Sequence, residues 1–359
     1  MKYLPTLLKI LDTCKINKST CVKIGLFITC FMYFNSKILY AQDIQFSQFY
    51  ANVLYLNPAF AGSSHQTRVI GHQRLQWPGL DAKYITSSFS VDHFFTKANS
   101  GLGFMILRDI QGTNIISSTE MSLQYSYELI ISPKLAFRAG AQGTYASRFV
   151  NYTYLKFPDQ YTVDGFTGQS TQEPFGSDKV NYFDVSVGGI LYSTNLWAGL
   201  SLYHVNTPNQ SFYGDVSNLP IKTMFVGGYK FHLAKKNIRS KHENTDISIT
   251  PTFNYKAQGK SDQLDLGIYG IYERLMLGIW YRGIPIKNYV NGLQNNESIV
   301  CLIGWKYKGL QVGYSYDFTI SKLNLGRTGG SHEINITYIF NKPAKKKKPM
   351  KKIPCPDFK

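Results

Sequence analysis

Cysteine is scarce where it would matter. Of the 5 Cys in 359 residues, Cys14, Cys21 and Cys30 sit near the start, leaving only Cys301 in an alternating segment and Cys355 near the end. Two such cysteines build neither a disulfide framework nor a metal-ligand spacing. Charge is also scarce, at 17% of residues, against about 25% in an ordinary soluble domain. Repeated uncharged runs of about 20 apolar residues, the mark of a helical membrane protein, are missing too. The mean hydropathy is −0.19, because Ser, Thr, Asn and Gln rather than charges dilute the apolar residues. What is abundant is aromatic: 26 Tyr and 23 Phe lift the aromatic share to 15%, beside 30 Gly. That richness excludes a disordered chain. A β-rich protein remains, with an outer-membrane barrel among the candidates.

The formal charge of +17 suggests nucleic acid until its position is read. Residues 1–41 carry six Lys and one Asp, and 342–359 carry eight Lys and one Asp. The body between them holds 25 basic and 20 acidic residues. A nucleic-acid-binding domain carries its basic residues on the fold itself, so nucleic acid is not expected as a partner. Lys2, Lys9, Lys15, Lys18 and Lys23 precede an uncharged run over 24–36, and Leu39-Tyr40-Ala41 precedes Gln42. A basic region, a short apolar stretch and a small residue are the parts of a secretory signal peptide, here expected over 1–41 with cleavage near Ala41. Cys30 follows Phe-Ile-Thr, a poor lipidation signal. The Lys/Pro-rich tail over 342–359 has two readings. It is a solvated, disordered end, or a docking handle whose Lys345, Lys346, Lys347, Lys348, Lys351 and Lys352 bind a partner. Pro349, Pro354 and Pro356 exclude a helix there.

From about residue 67 the body alternates. In 310–319, Leu310, Val312, Tyr314, Tyr316 and Phe318 interleave with Gln311, Gly313, Ser315, Asp317 and Thr319. A period of two with one apolar face is a half-exposed strand. Segments of this kind fall at 67–77, 82–95, 100–109, 115–130, 134–148, 183–192, 196–205, 221–232, 246–256, 263–272, 275–282, 298–307, 310–319 and 331–340. About fourteen strands, tight connections alternating with long polar ones (150–180, 206–219) and an aromatic end at Tyr338-Ile339-Phe340 predict an all-β, transmembrane antiparallel barrel over 67–341. An even count puts both ends of the barrel on one side, the periplasm. The competing architecture is a soluble double sheet, which the low charge and the tyrosine content disfavour.

Chemistry is hard to find. The seven His show no His-x-x-x-His pair, and neither Gly-x-Ser-x-Gly nor a phosphate-cradling loop occurs. No catalytic, cofactor-binding or metal-binding residue is assigned, and no cofactor is expected. Three stretches still stand out. Residues 48–62 are too apolar for a free linker, yet Pro58 and Gly62 break them, so 42–66 reads as a plug in the barrel mouth or as a periplasmic arm. Arg74 and Gln76 share one face of the first strand, suited to hydrogen bonds in a polar lumen, while Trp77 suits an interface anchor. Ser331-His332-Glu333 opens the last strand and reads as lumen polarity.

These stretches carry a resemblance. Phe49-Tyr50-Ala51-Asn52 with Leu56-Asn57-Pro58-Ala59-Phe60-Ala61-Gly62, then Gln73-Arg74-Leu75-Gln76-Trp77-Pro78, begin the series. Gly101-Leu102-Gly103, His204 with Pro208-Asn209-Gln210-Ser211-Phe212, and Gln263-Leu264-Asp265-Leu266-Gly267 continue it. Gly313-Tyr314-Ser315-Tyr316-Asp317 and Gly330-Ser331-His332-Glu333-Ile334 complete it. In this order, over roughly 45–340, the sequence resembles the PorP/SprF family of outer-membrane proteins of the type IX secretion and gliding machinery. The resemblance implies a non-enzymatic barrel in the bacterial outer membrane, in contact with lipid. Its partners would be secretion components and secreted or surface-attached proteins such as adhesins. It marks Asn57, Pro58, Phe60, Gly62, Arg74, Trp77, His332 and Glu333 as motif residues of structural rather than catalytic character. Two other functions compete: an outer-membrane transporter for small hydrophobic molecules, which needs an apolar lumen pocket, and an outer-membrane hydrolase, which needs a Ser–His pair.

Overall fold

The structure, a computed structural model, describes residues 43–112, 114–234, 247–288 and 294–340. The leader over 1–41 and the lysine tail from 342 lie outside the described residues. Fourteen long strands follow one another: β1 (Thr67–Gln76), β2 (Tyr84–Phe95), β3 (Ser100–Gln111), β4 (Ile116–Ser132), β5 (Leu135–Val150), β6 (Lys179–Ser193) and β7 (Leu196–Tyr203). The second half is β8 (Lys222–Tyr229), β9 (Ile247–Gln258), β10 (Ser261–Tyr272), β11 (Leu275–Asn288), β12 (Gln294–Tyr307), β13 (Leu310–Thr319) and β14 (Ser331–Phe340). Each pairs antiparallel with the next. β14 returns to β1, from Thr67↔Phe340 to Gln76↔Ser331, and closes the barrel.

All fourteen expected segments are strands. Several boundaries differ, β6 starting four residues early at Lys179, and three of them have a physical reason. β8 stops at Tyr229, where Lys230 donates its backbone N–H to Asn195 O at 2.8 Å, and Phe231–Ala234 then rejoins β9 with a register shift. β11 and β12 run well past the alternation that announced them, through Pro285 and two register shifts. A ladder needs backbone groups, not alternating side chains, so its continuation there is invisible to periodicity.

The barrel is apolar outside, and inside it is largely polar apart from an apolar cluster that includes Met105, Ile190, Trp197, Trp280 and Leu302. On β4, Met121, Leu123, Tyr125, Tyr127 and Leu129 are exposed while Ser122, Gln124, Ser126 and Glu128 are buried. This pattern is stable only with lipid around the wall. Phe95, Tyr229, Tyr272, Trp305, Tyr307, Tyr338 and Phe340 gather near one rim as an outward aromatic girdle. That rim holds the strand ends at 67 and 340 and tight turns such as 133–134, 273–274 and 308–309. The other rim carries the long connections over 151–178, 204–221 and 320–330. Cys301 faces outward and is free. His332 does not share the lumen with Ser331 and Glu333. Strand alternation turns it to the outer face, where its Nδ1 lies 2.8 Å from the Tyr314 hydroxyl.

Candidate functional site: the occupied lumen

Residues 43–66 run through the lumen from rim to rim. Asp43 meets Lys222, the first residue of β8, and Gln258, the last of β9, at the loop-rich rim. The segment then descends to Thr67, where β1 begins at the opposite rim. Its local form follows from its residues. Val53–Leu56 make a single helical turn, and the Asn57 side chain accepts from Ala59 N at 2.9 Å to start the 3₁₀ turn Pro58–Phe60. Pro58 at the first position loses no hydrogen bond. Gly62 turns the chain with φ +70. Leu54, Leu56 and Phe60 are fully buried, Phe60 against Trp197. Tyr50 stacks on Trp280 at 5.6 Å and on Tyr269 at 5.8 Å.

Three polar clamps hold the segment. In the first, Glu333 Oε2 accepts from Ser47 N at 2.8 Å and Oε1 from Gln48 N at 2.5 Å. The same carboxylate pairs with Arg74 Nη1 at 2.8 Å and His72 Nε2 at 2.9 Å. Arg74 Nη2 reaches Asp317 at 2.9 Å, and Arg282 bridges Asp317 at 3.2 Å to Asp265 at 3.0 Å. Ser47 Oγ lies among them, 2.6 Å from both Asp317 Oδ2 and Arg74 Nη1. Buried charges persist only when paired and hydrogen-bonded, and each carboxylate here has both kinds of partner.

The second clamp grips the 58–62 turn. Arg138 donates to the carbonyls of Ala59, at 3.1 Å, and of Ala61, while its Nη1 pairs with Glu128 at 2.7 Å. Arg68 pairs with both oxygens of Asp92 and donates to Phe60 O at 3.3 Å, and Gly62 N donates to Asp92 at 2.8 Å. Two guanidinium groups thus meet the carbonyl end of a short helical turn, where cations are favoured.

The third clamp is at the loop-rich rim. Asp43 Oδ2 lies 2.6 Å from Lys222 Nζ and 2.8 Å from His204 Nε2, and His204 Nδ1 lies 3.2 Å from Asp184. Burial disfavours charge on His204, but Asp43 and Asp184 outweigh it and push its pKa up to about 9. Burial likewise opposes the Asp43 carboxylate, yet Lys222 and His204 hold it well below the usual range.

Glycines let the wall approach. A Cβ on Gly140 would stand 2.4 Å from Ala59 N, one on Gly101 2.0 Å from Ala61 O, and one on Gly188 2.1 Å from Asn57 Oδ1. Asn57 Nδ2 donates to Leu200 O at 3.0 Å and Gly189 O at 3.3 Å, joining the turn to β7 and β6.

Of the motif residues, Asn57, Pro58, Phe60, Gly62, Arg74 and Glu333 come together on this one contact surface. Trp77 lies apart at the loop-rich rim: its ring meets Tyr84 edge-on at 5.8 Å, and its backbone N–H donates to Gly330 O at 3.0 Å. His332 is outside, and the six tail lysines are not among the described residues. Sequence reasoning did not single out Asp43, Arg68, Asp92, Glu128, Arg138, Lys222 and Arg282. Apart from Asp43, which precedes the strands, their signal was a charge on the polar face of an alternating strand in a chain that has few charges.

Motif residues from both ends of the barrel sequence, Arg74 and Glu333 among them, converge on the luminal segment, and comparison with known proteins places that convergence. The family model described as type IX secretion system membrane protein PorP/SprF matches residues 38–338. The chain belongs to the PorP/SprF family. It is accordingly a membrane component of the type IX secretion system, located in the bacterial outer membrane. No curated protein matches the chain. Among solved structures, this PorP/SprF chain is similar to the toluene transporter TbuX of Ralstonia pickettii, with 10% identity, TM-score 0.46, and coverage of 81% of this chain and 94% of that one. It is also similar to the P. putida toluene transporter TodX, at 9% identity, TM-score 0.46, and coverage of 80% and 93%. Omp33 of Acinetobacter baumannii gives 10% identity, TM-score 0.41, and coverage of 77% and 98%.

Proposed function

We propose that this barrel is a non-enzymatic part of the type IX secretion system that supports secretion or surface attachment of client proteins such as adhesins. It would reach the outer membrane by means of the cleavable leader. The observation that carries this reading is the occupied lumen. A segment clamped by charged groups from opposite walls fills the space a solute would need, so the working surfaces are the two rims and the outer wall. The interior combines the paired charges of Arg68, Arg74, Arg138 and Arg282 with apolar wall residues such as Met105, Trp197 and Trp280 that pack against the segment itself, which speaks against an apolar pocket kept for small hydrophobic molecules.

Affinity isolation of the intact complex from outer membranes tests it. A secreted adhesin or a secretion-machine subunit should co-purify in stoichiometric amounts. Recovery of the barrel alone with bound lipid would instead favour transport. The lysine tail is the second test. Deletion of 342–359 should leave the barrel inserted while surface attachment of clients falls; unchanged attachment would make the tail dispensable.

A further inference from the structure

The loop-rich rim has a side whose surface the barrel itself does not explain. The connection over 151–178 has a shape of its own. Tyr152 stacks on Phe175 at 4.6 Å, Phe157 tilts against Phe175 at 5.4 Å, and Tyr161–Thr162 pairs with Gly165–Phe166. The Asp159 carboxylate accepts from Thr171 Oγ1 at 2.8 Å and Gln172 N at 2.6 Å. The neighbouring connection over 204–221 is locked to it. Ser177 N donates to Phe212 O at 2.7 Å, and Arg148 lies 5.6 Å from the Phe212 ring and donates to Gln210.

Despite this order, the outer surface stays apolar. Val163 is fully exposed, Val216 is 84% and Tyr213 62% exposed, and Tyr154, Tyr161, Phe166 and Phe175 are exposed beside them. These residues lie beyond the ladder of the barrel, so the lipid that covers Leu123 or Ile303 does not account for them. An exposed apolar patch rimmed by charge marks an interaction surface. The exposed charge is mainly negative. The two connections carry Asp159, Asp164, Glu173, Asp178 and Asp215 against Lys156, all exposed, while His204 at the start of the second is turned inward to Asp43 and Asp184. Across the same rim, 259–260 and 320–330 carry Lys260, Lys322 and Arg327 and no acid.

We propose that the paired connections over 151–178 and 204–221 form a docking surface for a Lys/Arg-rich segment of a protein delivered to the cell surface. Charge complementarity names the occupant: an acidic patch beside exposed aromatic rings attracts cations at long range and holds them by ion pairs and cation–π contact, as the chain's own Lys156 is held 4.8 Å from the Phe166 ring. The chain's own lysine tail follows Phe340, at the opposite rim, and is not the occupant. The proposal rests on the secretion reading above and specifies the client-facing surface of that same barrel.

The test uses the full chain in proteoliposomes and a fluorescent peptide alternating Lys with Ser, with a Glu–Ser peptide as control. The Lys peptide should bind in a salt-sensitive way and the Glu peptide should not. The combined variant Asp164→Asn, Glu173→Gln, Asp215→Asn should weaken binding about tenfold or more, mainly through association rate. The variant Val163→Ser with Tyr213→Ser should weaken it at high salt as well. All five positions lie outside the strands, and insertion is checked by heat-modifiable migration. Equal binding by wild type and the neutralised variant, or equal binding of both peptides, overturns the proposal. Client attachment in cells separates the two levels. If loss of the whole protein leaves attachment intact, the secretion reading fails. If that loss abolishes attachment while the neutralised variant sustains it at wild-type level, only the docking surface fails.

Discussion

Single residues decide how closely the wall meets its contents. Gly140 and Gly71 are both strand glycines, yet an added Cβ at Gly140 would meet the backbone of Ala59 at 2.4 Å, while at Gly71 it would meet nothing within 4 Å. Gly140→Ala should therefore destabilise the folded barrel by about 1–3 kcal/mol through overpacking, and Gly71→Ala should be close to neutral. Urea unfolding of the barrel in vesicles compares them; equal midpoints would contradict the close approach. Glu333 carries a heavier load, since one carboxylate serves two backbone N–H groups, Arg74 and His72. Removing one partner of a buried pair costs about 3–5 kcal/mol. Glu333→Gln should shift the same unfolding curve by that order, and a shift under about 1 kcal/mol would show that Asp317 alone sustains Arg74.

At the scale of elements, the luminal segment is attached at separate heights, and its rim clamp holds a histidine whose charge depends on pH. His204 has its pKa raised from 6.5 to about 9 by Asp43 and Asp184 against the opposing effect of burial. A raised folded pKa means that the charged His204 adds stability in full below about pH 6.5, and that this is lost as pH climbs through about 9. Asp43 is shifted the other way, so its contribution persists above the ordinary carboxylate range and fades only in strong acid. Backbone hydrogen exchange at 43–48, corrected for its intrinsic pH dependence, should accelerate between pH 7 and 10 in wild type. The His204→Gln variant should lack that step. A flat wild-type profile would mean that Lys222 and Gln258 hold the end without the histidine.

For the whole molecule, the contrast is between a wall built for lipid and a lumen built for one segment of the same chain. Removing 43–66 leaves the hydrogen-bonded ladder untouched but strips Glu333, Asp92 and Arg138 of partners and opens a polar channel. In planar bilayers the full chain should conduct little, and the deletion variant should show stable openings of a porin-like size. Equal conductance in the two would mean that the segment does not obstruct the lumen.

The alternation of apolar and polar residues was sufficient to place all fourteen strands, because side chains on a strand alternate faces whatever the partner strand is. The ordered motifs were sufficient for the family, since each is a local string. Neither could show that Asn57, Arg74, Asp317 and Glu333, up to 276 positions apart, meet around one segment. Such pairings depend on strand register and barrel closure, which are set by contacts between distant parts of the chain. The opposite facing of His332 and Glu333, by contrast, follows from alternation itself, since His332 shares its face with Ile334 and Ile336. The +17 and the scarce internal charge, both plain in the composition, thus separate by location. A lipid-compatible wall between charge-rich ends can be read from the chain alone; that Glu333, Asp92, Arg138 and their partners grip 43–66 follows only from closure, which brings opposite walls within hydrogen-bond reach of one segment.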